Sequence, residues 1–94
     1  RFFAVKDVLY FQSDSKYTRL VTTEHDALIR KSLMDLMRAL DAETFRQINR
    51  GVIVNISHIE NVERGSAGEM FVRMRGRTVD LAISKPHQAQ FRGM

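Results

Sequence analysis

Three short stretches of this 94-residue chain hold side chains able to do recognition chemistry. Ser15-Lys16-Tyr17-Thr18-Arg19 gathers hydroxyls, a ring and two cations. Asn49-Arg50-Gly51 sets a guanidinium between an amide and a glycine. Ser84-Lys85 puts a hydroxyl and a cation just ahead of Pro86, the only proline. Arginine presents a planar fork that matches guanine, asparagine can bond adenine twice, and lysine and serine reach phosphates. Asn49 and Gly51 also have a plainer reading as turn residues, because both types tolerate left-handed backbone.

Catalytic and metal chemistry find no such grouping. His25, His58 and His87 are scattered, without an i, i+4 pair or a carboxylate at ligand spacing. The chain has no G-x-S-x-G, no phosphate-cradling glycine loop and no paired carboxylates on one strand. Ser13, Ser15 and Ser84 have no local base. Neither an enzyme nor a cofactor is expected. With no cysteine there are no disulfides or thiolate sites, which fits a reducing, cytoplasmic setting. No apolar run approaches the ~20 residues that span a bilayer, and no signal peptide is evident.

The formal charge is +4 and the pI about 10.0. Residues 1–47 carry 8 basic and 7 acidic groups, and residues 48–94 carry 7 and 4. The excess therefore sits in the second half, with Arg73, Arg75, Arg77 and Lys85 among its cations. A localised positive field steers polyanions.

The elements that must carry these stretches are mostly period-two. Arg1 to Val5 and Val8 to Gln12 read as short strands separated by Lys6-Asp7. Residues 13–16 form a polar hairpin loop, with Tyr17 to Thr23 as the partner strand. Residues 24–26 turn, and Ala27 to Lys31 returns. Ser32-Leu-Met-Asp35 fits a capping box, and Leu33, Leu36, Met37 and Leu40 follow as one apolar helical stripe. That stripe suits core packing, and its methionines also suit a partner-binding face.

Phe45 to Asn49, Val52 to Asn55 and Asn61 to Arg64 are further strands, with a short turn of helix or loop around Ser57–Ile59. Met70, Val72 and Met74 then alternate with Phe71, Arg73 and Arg75, and beyond the Gly76-Arg77 turn Val79, Leu81 and Ile83 alternate with Asp80, Ala82 and Ser84. This predicts a hairpin with one buried face. Pro86 suits the first turn of a terminal helix capped by Lys85. The expectation is a mostly β single domain spanning residues 1–94, built of small antiparallel sheets with one or two short helices. Beginning at Arg1, it reads as part of a longer protein.

The ordered segments V-L-Y-F-Q-S-D-S-K-Y-T-R-L (8–20), S-L-M-D-L-M-R-A-L (32–40), F-R-Q-I-N-R-G-V-I-V-N (45–55), I-E-N-V (59–62) and L-A-I-S-K (81–85) resemble the LytTR family. This is the β-rich DNA-binding domain at the C-terminus of bacterial response regulators. The third segment is the most specific. It matches the family's Phe-x-x-Ile-His-Arg-Ser-x-Ile-Val-Asn at Phe45, Ile48, Arg50, Ile53, Val54 and Asn55.

The resemblance implies an elongated sandwich of small antiparallel sheets that inserts loops into successive major grooves and bends the duplex. It places the DNA-binding residues at Lys16, Tyr17 and Thr18, at Asn49 and Arg50 with Gly51 beside them, and at Ser84 and Lys85. It further implies a homodimer on tandem promoter half-sites, under an upstream receiver or sensor domain. Asn49 stands where the family usually has His, Gly51 where it has Ser, and Lys85 where it has Arg. The last exchange trades a bidentate fork for a point charge, so Lys85 is assigned to phosphate. A competing expectation is an interaction or sensing module that kept the fold without specific DNA binding.

Overall fold

The computed structural model describes residues 2–93. Eight strands, β1 Tyr10–Asp14, β2 Tyr17–Val21, β3 Asp26–Ile29, β4 Phe45–Asn49, β5 Val52–Asn55, β6 Ile59–Arg64, β7 Met70–Met74 and β8 Asp80–Ile83, accompany one α-helix, α1, Leu33–Ala39. They form two antiparallel sheets, one of five strands in the order β3-β2-β1-β5-β4 and one of three in the order β6-β7-β8. The molecule measures 41 × 25 × 25 Å, so the elongated, mostly β reading holds.

Strand β5 shows why the apolar run at 52–54 does not alternate. Val52 and Val54 face a core shared with Met70, Val72, Met74, Leu81, Ile83 and Phe91. Ile53 faces the other way, into a second core with Phe11, Leu20, Leu33, Leu36 and Phe45. The five-stranded sheet is thus covered on both sides, by α1 on one and by the small sheet with the C-terminal segment on the other. A strand buried on both faces needs apolar residues throughout. At its end Asn55 is fully buried, yet every polar group of its side chain is used. Its Nδ2 donates to the Val8 carbonyl at 3.0 Å, and its Oδ1 accepts from the Ser57 N–H and hydroxyl. Asn55 is the structural turn residue between β5 and the 3₁₀ turn Ile56–His58.

The cap on α1 forms as the sequence predicts, with the Asp35 N–H donating to Ser32 Oγ at 3.1 Å. The stripe is narrower than expected. Leu33 and Leu36 are buried and Leu40 packs alongside, but Met37 is 37% and Met34 65% exposed. A helix of seven residues offers the sheet only one turn's worth of contact. Between α1 and β4, Asp41 organises the loop: its carboxylate accepts the Thr44 hydroxyl and the Glu43 N–H, which hold it below the ordinary carboxylate pKa.

Three expectations need correction. Residues 2–4 form no strand and Val5–Asp7 is a 3₁₀ turn; Arg1 lies outside the described residues. Phe2 and Val5 are exposed, so period-two apolarity there finds no partner strand. Val79 is likewise exposed and precedes β8. Finally, Ser84 and not Lys85 is the N-cap residue of the C-terminal segment. The Ser84 N–H donates to the Ile48 carbonyl at 2.8 Å, which keeps Ser84 extended and starts the helix at Lys85, one residue earlier than expected. That segment, Lys85–Phe91, is 3₁₀ over its whole length. Three residues per turn bring Gln88 and Phe91 onto one side, and both are buried.

Candidate nucleic-acid interface

The three polar stretches are far apart in sequence and meet at one end of the molecule. The β1–β2 hairpin pairs Asp14 with Tyr17, leaving Ser15-Lys16 as a two-residue tip. Ser15 takes a φ of 58°, the one non-glycine residue with positive φ among those described. The β4–β5 hairpin pairs Asn49 with Val52, leaving Arg50-Gly51 as its tip. The Ser13 N–H donates to the Gly51 carbonyl at 2.8 Å, which joins the two tips. The third stretch is attached by β4: the Asn49 amide donates to the Ala82 carbonyl at 2.8 Å, and Ser84 is held on Ile48 as described.

A bulge in β4 makes this junction possible. Register shifts between Gln47 and Asn49, with Ile48 the extra residue. Ile48 is fully buried in the core between the sheets, while the next residues lead outward to the tip. Bulges commonly re-aim side chains in this way.

The candidate residues fall into two conditions. Lys16, Arg50 and Lys85 are exposed, and no acidic side chain pairs with them among the described residues. Arg50 borders a groove with Leu33, Met34, Met37 and Gln47. Asn49, Ser84 and Thr18 are instead occupied by the protein. Besides its bond to Ala82, Asn49 accepts the Gly51 N–H on Oδ1 at 2.8 Å. The Ser84 hydroxyl lies 3.3 Å from the Ile48 carbonyl and 2.9 Å from His87 Nδ1. Thr18 is 2% exposed, and its hydroxyl donates to the Lys31 carbonyl at 2.6 Å. Gly51 has no positive φ, and a Cβ there would make only ordinary contacts, 3.7–3.9 Å from Asn49 and Ser13. The turn therefore does not require glycine.

Tyr17 brings in a residue that the sequence reading missed. The Arg30 guanidinium lies over its ring, 5.8 Å from the centroid. Arg30 and Lys31 follow β3 directly, one step past the Thr18–Ile29 pair, so they flank the hairpin tip. Only register could have revealed this, since nothing in residues 30–31 marks them locally.

The opposite end treats its cations differently. Asp26 pairs with Arg19 at 2.7 Å and with Arg77 at 2.6 Å. Arg77 also donates to the Thr22 carbonyl at 2.8 and 3.1 Å, tying the β7–β8 turn to the β2–β3 turn. Arg73 pairs with Asp80 at 2.9 Å. Two of the cations that weight the second half of the sequence are therefore paired with carboxylates, Arg73 with Asp80 and Arg77 with the Asp26 it shares with Arg19.

A β-rich chain that groups free cations on converging loops at one end has the form of a loop-presenting nucleic-acid-binding domain. The LytTr DNA-binding domain family model matches residues 1–94, and the chain belongs to that family, which binds DNA and is not enzymatic. Among curated proteins, it is 34% identical over 93 residues to an uncharacterized response regulatory protein of Vibrio cholerae. It is 25% identical over 87 residues to a CO-responsive transcriptional regulator of Rhodospirillum rubrum. These alignments cover 95% and 93% of this chain but 35% and 37% of the relatives, so the chain spans about a third of their length. Among solved structures, the LytTr DNA-binding domain of a protein described as a methyl-accepting/DNA response regulator from Bacillus cereus superposes with a TM-score of 0.81. That match covers 92% of this chain and 78% of the other, at 22% identity, and supports the shared fold.

Proposed function

We propose that this domain reads double-stranded DNA in a sequence-specific manner, presenting the converged loops to successive major grooves as the effector of a bacterial transcriptional regulator. The observation that carries this reading is the convergence itself: hydrogen bonds from Ser13, Asn49 and Ser84 bring the loops of Lys16, Arg50 and Lys85 to one end, and none of the three has an acidic partner among the described residues. In this reading Arg50 contacts a base edge, while Lys16 and Lys85 neutralise phosphates. Tyr17 lies against the duplex beside them. Asn49, Ser84 and Thr18 act mainly by holding the tips in place, because their polar groups already have partners. The response regulator among the relatives supports an upstream receiver or sensor domain, and two copies on tandem half-sites fit so small a surface.

Selection of bound duplexes from a random pool, followed by gel shift, tests the proposal. One preferred site should emerge, with Arg50→Ala costing about 1–3 kcal/mol on it and altering the ranking of site variants. A uniform loss across all sequences would move Arg50 to the phosphates. Sedimentation with one and then two half-sites should show one and two bound copies; a constant single copy would remove the dimer from the proposal.

A further inference from the structure

The proposed reading surface leaves one cationic segment at the same end unexplained. Arg30 and Lys31 form the junction between β3 and α1, and both are exposed. Neither has an acidic partner among the described residues. Two independent contacts fix the junction beside the hairpin tip. Arg30 sits over the Tyr17 ring at 5.8 Å, and the buried Thr18 hydroxyl holds the Lys31 carbonyl at 2.6 Å.

We propose that the β3–α1 junction is a further DNA-backbone contact of this domain, in which Arg30 and Lys31 bind phosphates flanking the groove entered by the hairpin tip and Thr18 is their buried positioning residue. The chemistry follows from the groups. A guanidinium presents five N–H donors in a fixed fork, and its planar form suits both an aromatic face and a phosphate. Resting on Tyr17 reduces the side-chain freedom that Arg30 would otherwise lose on binding. Lys31 adds a point charge whose backbone position is set from within. Asp14 is the acidic residue of the adjacent hairpin and opposes Lys16, Arg30 and Lys31. The local field at this end therefore stays positive.

The inference rests on the proposed reading end, and its test separates the two. Anisotropy of a fluorescein-labelled, mixed-sequence duplex of about 30 base pairs, three helical turns, needs no known operator. Binding is titrated with sodium chloride, and the slope of log K against log[salt] counts displaced counterions. Arg30→Ala and Lys31→Ala should each lower that slope by about one, while Arg30→Lys should retain it. Thr18→Val, which removes no charge, should also lower the slope, and Thr18→Ser should restore it. Arg75→Ala, at the far end, should leave it unchanged. Circular dichroism melts confirm that each variant is folded. If Lys16→Ala lowers the slope and Arg30→Ala and Lys31→Ala do not, the junction is no phosphate contact and the inference fails alone. If Arg75→Ala lowers it and Lys16→Ala and Lys85→Ala do not, the proposed reading end fails as well.

Discussion

The two ends of the molecule use the same side chains in opposite ways. At the β2–β3 and β7–β8 turns, Arg19 and Arg77 share the Asp26 carboxylate, and Arg77 bonds carbonyls of the neighbouring turn. There arginine is a structural tie between the two sheets. At the β1–β2 and β4–β5 tips and the neighbouring β3–α1 junction, Lys16, Arg50, Arg30 and Lys31 are exposed, with no carboxylate paired to them among the described residues. Amides and hydroxyls, those of Asn49, Thr18 and Ser84, do the tying there instead. Net charge alone cannot separate these cases, because a paired and a free arginine count the same. A modest +4 becomes a directed field because Asp26 and Asp80 offset part of the charge at one end, while Lys16, Arg30, Lys31 and Arg50 at the other have no such partner among the described residues.

The comparison can be broken most severely from its shared base. Phe91 is fully buried against β4, β5 and β8 residues of the core between the sheets, so Phe91→Ala should cost about 3–5 kcal/mol in urea unfolding and loosen both ends together. Asn49→Ala should cost roughly 0.5–1.5 kcal/mol, the net worth of a hydrogen bond whose groups water can reach, through the lost bonds to the Ala82 carbonyl and the Gly51 N–H; DNA affinity should fall with it. A variant that kept full stability would return Asn49 to the list of direct readers. Arg77→Ala should cost about 1–2 kcal/mol through its lost carbonyl bonds, its partly exposed ion pair adding little, and should leave the salt slope of DNA binding alone. Arg50→Ala should do the reverse, changing unfolding by no more than about 0.5 kcal/mol while weakening specific binding. The smallest effect belongs to Gly51→Ser, which should raise stability by about 0.4–1 kcal/mol because the turn has no need of glycine. A loss there would show strain that the ordinary contacts of a Cβ at Gly51 do not suggest.

Much of the fold was legible because its physics is local. Met70, Val72 and Met74 alternate and do line the core, Ser32 does cap α1, and strands do form at Phe45–Asn49 and Val52–Asn55. The resemblance carried the family from the same residues. What the sequence could not show depends on distant partners. Thr18 looks like a hairpin hydroxyl until the register sets Lys31 beside it. Arg73 and Arg77 look like free cations until Asp80 and Asp26 arrive from other strands. The N-terminal apolar run looks like a strand because pattern reports only what a segment could pair with, and Phe2 has no neighbour to pair with. The three stretches were readable as polar loops, but their convergence came from the bulge at Ile48 and from bonds between strands far apart in sequence.

The bond from the Ser13 N–H to the Gly51 carbonyl has a thermodynamic consequence for recognition. Two flexible tips would each have to lose backbone freedom on meeting a duplex, at about 1–2 kcal/mol per residue fixed. Joined to each other and rooted in β5, whose residues are all buried, they meet that loss when the domain folds. Association then opposes less entropy, and the specificity of Arg50 rests on a mount already still before DNA arrives.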